Sequence, residues 1–82
     1  MRREDAHMKP SYYVEASWDA EASVWISKSN IPGLVIEADT LAEFERLMNE
    51  LAPEMLSANE NIRNARVPVD FRFIGTREFA VV

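Results

Sequence analysis

Eighty-two residues with a net charge of -5, 48% hydrophobic content and only two glycines describe a small globular chain, without the low-complexity tracts or repeats of a disordered or fibrous one. The absence of cysteine excludes a disulfide framework, a thiolate metal site and a cysteine nucleophile, and fits a reducing compartment. No apolar run approaches the ~18 residues of a membrane span, so the expectation is a cytoplasmic protein with no membrane association.

Residues 1–10 are polar and unpatterned and are expected to be a flexible segment ahead of one domain spanning residues 11–82. Tyr12, Val14, Ala16 and Trp18 then alternate with Tyr13, Glu15, Ser17 and Asp19, the period of a strand with one buried face. After the turn-tolerant Asp19, Ala20 and Glu21, Val24 and Ile26 alternate with Ser23, Trp25 and Ser27. This predicts a second strand in a hairpin with the first, with Val24 and Ile26 inward and the serines on its polar face. Pro32 and Gly33 suit the second and third positions of a type II turn, the proline fixing φ and the glycine accepting a positive one. Leu34, Ile36 and Ala38 against Val35 and Glu37 make a short third strand.

Thr40 followed by Glu43 reads as a capping box, in which each side chain satisfies a backbone N–H at the start of a helix. From there the period becomes helical. Leu41, Phe44, Leu47, Met48, Leu51, Met55 and Leu56 form one stripe, predicting a helix over residues 41–57 that is bent near Ala52, because Pro53 removes a hydrogen bond. Val67, Val69, Phe71 and Phe73 alternate with Pro68, Asp70, Arg72 and Ile74 in the clearest strand, with Pro68 confining its start to an edge or to unpaired chain. Beyond Gly75 the residues are strand-prone again, as a continuation or a hairpin.

The fold class is therefore α+β: a β-β-β-α-β order forming a single antiparallel-type sheet with one helix on one face. One helix covers one face of a sheet. By parity Tyr13, Trp25, Val35 and Ile74 fall opposite the predicted core and become the candidate interface, since exposed apolar patches usually mark contact surfaces. A homodimer or higher homo-oligomer is expected.

The residues offer little chemistry. His7 has neither a second imidazole nor a thiolate beside it, the serines have no nucleophile elbow or histidine base, and Gly33 and Gly75 stand apart rather than in a phosphate-cradling loop. No catalytic residue, metal site or cofactor is expected. Glu15 and Glu37 meeting across neighbouring strands would make a carboxylate site for a ligand, magnesium or a degenerate enzyme, against like-charge repulsion; a solvated acidic face is the simpler reading. Arg63, Arg66, Arg72 and Arg77 interleave with Phe71, Phe73 and Phe79 as an RNA-stacking sheet would require, but core packing accounts better for Phe71 and Phe73, and nucleic acid is not the expected partner. Residues 11–60 hold ten acidic and two basic side chains, which favours a basic partner.

The chain resembles the HicB-like antitoxin family, in a short branch that is a domain of unknown function. The matching residues are Trp18, Asp19, Glu21, Ala22, Val24 and Trp25, then Ile31, Pro32, Gly33 and Leu34, then Glu37, Ala38, Asp39, Thr40 and Leu41, and residues 56–59. The chain departs from the family where residues 19–22 replace a glycine-rich hairpin turn and Leu34 replaces a cysteine. The resemblance implies a partial RNase H-like sheet, oligomerisation, and neutralisation of a small basic HicA-type mRNA-cleaving toxin by covering its active site. It implies no catalysis by this chain.

Overall fold

In a computed structural model, which describes residues 11–76 and 78–82, the chain runs through strand β1 (Tyr12–Asp19), strand β2 (Val24–Ser29), strand β3 (Glu37–Ala38), helix α1 (Leu41–Glu60) and strand β4 (Val69–Ile74). The segment 1–10 expected to be flexible, with His7, lies outside the described residues, as does Arg77. The strands form one sheet in the order β3-β2-β1-β4. β2 is antiparallel to both β1 and β3, but β4 lies parallel to β1. The sheet is thus mixed, and the antiparallel expectation is corrected. α1 carries the chain back across one face, so the strand that follows re-enters in the direction of β1 and β3, which is what a helical crossover does.

Each reversal has a local cause. At the hairpin, Asp19 Oδ1 accepts from the Glu21 and Ala22 N–H groups at 3.1 and 3.2 Å, the Ser23 N–H donates to Asp19 O at 2.7 Å, and Ser23 takes a left-handed φ of 57°. At Pro32 and Gly33, the Leu34 N–H donates to Ile31 O at 3.2 Å with Gly33 at φ 84°, the type II turn the sequence predicts. The Asn59 Nδ2 of α1 donates to Pro32 O at 2.7 Å, tying this turn to the last turns of the helix.

α1 begins at Thr40, whose Oγ1 accepts from the Glu43 N–H at 3.1 Å. The reciprocal half of the capping box is not formed: the Glu43 carboxylate is engaged by Arg46, through Nε at 3.1 Å and Nη2 at 2.6 Å. The helix runs on through Pro53 to Glu60, three residues past the expected end. The carbonyl left without a partner by Pro53 belongs to Asn49, on the exposed side, where the loss costs least. Asn61 closes the helix in a left-handed conformation, and the Ile62 N–H donates to Leu56 O at 3.3 Å.

The core comprises Val14 and Ala16 of β1, Ile31, Leu34, Ile36 and Ala38 around β3, and Phe44, Ala52 and Leu56 of α1. Phe44, fully buried, stacks on Phe71 of β4 with ring centroids 6.3 Å apart. Strand register corrects two expectations. Because Trp18 stands opposite Trp25 and Ala16 opposite Ser27, the helix-side residues of β2 are Trp25, Ser27 and Ser29, while Val24 and Ile26 face away. The serines are there to serve backbone: Ser27 Oγ accepts from the Ile36 N–H at 2.8 Å, and Ser29 Oγ donates to Tyr13 O at 2.7 Å while accepting from the Ile31 N–H at 3.0 Å.

Candidate functional site

The four residues singled out by parity do not share a face. Tyr13 and Ile74 lie on the side of the sheet away from α1, and Val35, 80% exposed, sits in the segment leading to β3. Trp25 packs on the helix side, its ring centroid 5.4 Å from that of Trp18, and so does not belong to that surface. The cause is the turn of residues 20–23, which sets the register of β2 one face over from the Val24 and Ile26 alternation.

The face away from α1 is mixed in character. Glu15 stands between Lys28 on β2 and Arg72 on β4, and Ser17 stands between Ile26 and Ile74. Arg72 lies 5.0 Å above the Tyr13 ring centroid and makes an ion pair with Asp70 at 3.2 Å. Charges therefore divide the apolar residues of this face into small islands.

The other face carries a wider opening of mixed, mainly apolar lining. α1 packs on one face of the sheet, with Phe44 on Phe71 of β4, and leaves open space between its second half and β4. Between them runs a groove of about 730 Å³ lined by Met48, Ala52 and Leu56 of α1, Ile62 and Val67 of the connector and Phe71, with the polar Asn49, Ser57, Arg63 and Asn64 also on its walls. Past its end Phe73, beside Trp18 and Trp25, is 62% exposed. This corrects the expectation that Phe73 joins the core. Gly75 closes this end of the sheet, where a Cβ would stand 3.1 Å from the Trp18 Cβ. The described residues after β4 have no regular structure, and Phe79 and Val81 among them are 76% and 89% exposed.

The carboxylate and arginine arrangements considered from the sequence do not assemble among the described residues. Glu15 and Glu37 are separated by β2, each facing a β2 residue in the ladder, Lys28 and Ile26, so the postulated carboxylate pair is not formed. No group of three or more histidine, aspartate or glutamate side chains among the described residues is placed to hold a metal ion. The arginines of the stacking alternative are dispersed. Arg63 donates to Ser57 Oγ at 3.3 Å, Arg72 is held by Asp70, and Phe71 is committed to Phe44. The perturbed titrating groups are those in side-chain hydrogen bonds. Tyr12 donates to Glu60 Oε1 at 2.7 Å, and that bond holds its phenol above the usual tyrosine range. The Arg46 hydrogen bonds hold the Glu43 carboxyl below its ordinary value.

What the geometry offers a partner is surface. The exposed side of α1 and the approach to it carry Glu37, Asp39, Glu45, Glu50, Glu54 and Glu60, while the apolar groove and the β4 edge lie on the flank. No described helix is long and apolar enough to cross a membrane.

The sequence profile of a family described as a domain of unknown function (DUF1902) matches residues 11–81. Among solved structures, the chain is similar to the hypothetical protein TTHA1013 from the extremely thermophilic bacterium Thermus thermophilus. The two share 35% identity over 84% of this chain and 99% of that one, with a TM-score of 0.55. No curated protein matches the chain.

Proposed function

This chain belongs to the DUF1902 family, and we propose that it is a protein-binding module of the HicB-like antitoxin type, which self-associates and presents an acidic surface to a small basic protein. The observation that carries this reading is open surface with apolar residues in it: the described helix leaves a groove beside β4, and Phe73, Phe79 and Val81 are 62%, 76% and 89% exposed. Exposed apolar surface of this kind usually marks association. The carboxylates at residues 37–60 add the charge that steers a basic partner and orients it. By the resemblance in its turn and helix start, that partner is a HicA-type toxin, and the chain contributes occlusion of the toxin's active site rather than catalysis.

Co-expression with the product of the neighbouring reading frame tests the proposal. A small basic neighbour that co-purifies with this chain and loses RNA-cleaving activity in the complex is the expected result. A neighbour that is neither small nor basic, or that does not bind, contradicts it.

A further inference from the structure

We propose that β4 pairs antiparallel with β4 of a second copy, in the one register centred on Phe71, and that each copy's residues 79–82 fill the other's groove. The inference deepens the reading of the chain as a self-associating module by naming the surface, the register and the occupant.

β4 is an edge strand, next to β1 on one side and without a described neighbour on the other. An unpaired edge is usually blunted by charge or proline. Here Pro68 precedes the strand, and its charged residues, Asp70 and Arg72, are opposite in sign and two positions apart on one face. Such a pair filters rather than blocks. Two strands related by a two-fold axis run antiparallel, with residues directly opposite pointing to the same side, so the axis passes through a residue. Centring on Asp70 sets Asp70 against itself and Arg72 against Pro68. Centring on Arg72 sets Arg72 against itself and Asp70 against Ile74. Centring on Phe71 sets each Asp70 opposite Arg72 of the second copy, while Phe71 meets Phe71 and Val69 meets Phe73 on the groove side. Only this last register is self-complementary in both charge and apolar contact. The intrachain Asp70–Arg72 pair at 3.2 Å is about half exposed, so exchanging it for two pairs across the axis sacrifices little.

The same register accounts for the groove. Past Gly75 each strand runs alongside the connector that precedes β4 in the second copy. It brings Glu78 toward Arg63 and Arg66, and brings Phe79 and Val81 toward the lining formed by Ile62, Val67 and Leu56. Six-residue edges alone fall short of the ~1,200 Å² that a stable interface buries, and these segments supply the remainder. The result is an eight-stranded sheet continuous across two copies, with both grooves covered.

The mass of the full chain in sedimentation equilibrium tests this, with far-UV circular dichroism confirming the fold of each variant. The wild-type chain is expected to be a dimer. Asp70→Arg and Arg72→Asp each set like charges opposite one another and raise the dissociation constant about tenfold or more. Mixed in equal amounts, the two variants are expected to regain the dimer, because each now complements the other. Phe79→Asp, outside the sheet, is expected to weaken the dimer without changing the fold. A monomeric wild type, charge variants as tightly dimeric as the parent, or a mixture no tighter than its components overturns the proposal. If Arg72→Asp, which places a carboxylate beside Glu15, does not fold, an unaltered dissociation constant for Asp70→Arg is sufficient refutation. None of these substitutions touches the acidic side of α1, so capture of the basic neighbouring product tests the functional reading separately.

Discussion

Replacing Gly33 by alanine probes the joint between the turn and α1. Gly33 stands at φ 84°, where an L-residue is strained by about 1–2 kcal/mol. An alanine Cβ there would lie 2.6 Å from Asn59 Nδ2 and 3.1 Å from Met55 Sδ. The flexible Asn59 amide can move away, but only by giving up its 2.7 Å bond to Pro32 O, a further ~1 kcal/mol. Gly33→Ala should therefore cost about 2–3 kcal/mol, a large part of the ~4–12 kcal/mol expected for a chain of this length. Urea unfolding reads the free energy, and the thermal midpoint should fall by about 10–25 °C. Asn59→Ala alone should cost about 1 kcal/mol, and the double variant should cost about 1 kcal/mol less than the sum, since the lost bond is then counted once. A Gly33→Ala variant within about 0.5 kcal/mol of the parent would refute the strain argument. Strict additivity would refute the displacement of Asn59.

Thr40→Ala removes the acceptor of the Glu43 N–H and should destabilise the chain by about 1 kcal/mol in the same urea assay, whereas Glu43→Gln, whose carboxylate serves Arg46 instead, should leave the cap intact. Ser29→Ala strands both Tyr13 O and the Ile31 N–H and should cost about 1–3 kcal/mol; a neutral effect would place Ser29 on the solvent side of β2. Tyr12 donates to Glu60, so folding favours its neutral phenol. The stabilisation is complete below the unfolded tyrosine value and is lost as pH rises through the higher folded one. Phenolate absorbance should show a late-titrating component that Tyr12→Phe abolishes.

Features set by neighbours in sequence were legible in the sequence. The Pro32-Gly33 turn, the Thr40 cap and the α1 stripe all depend on residues within four positions of one another. The inward set of β1 was legible too, because Val14 and Ala16 alternate with charged or hydroxyl residues. β2 misled because both its faces are amphipathic: Val24 and Ile26 compete with Trp25. What decides is the Ser23 conformation in the preceding turn together with the backbone bonds of Ser27 and Ser29, none of which periodicity records. The parallel pairing of β4 depends on the direction in which α1 returns the chain, a tertiary property. The groove escaped for a related reason. The stripe of α1 shows that the helix covers one face, but how far it reaches over β4, and with it the exposure of Phe73, is a tertiary property that periodicity does not record.

The proposed function is to cover and be covered by other proteins. It meets its most direct test in a calorimetric titration of the chain with the small basic product of the neighbouring reading frame, at low and at physiological salt. Saturable binding that weakens as salt rises, and that weakens further when Glu45, Glu50 and Glu54 are changed together to glutamine, is the predicted result. No heat of binding at either salt concentration, or an affinity indifferent to those three carboxylates, would contradict it.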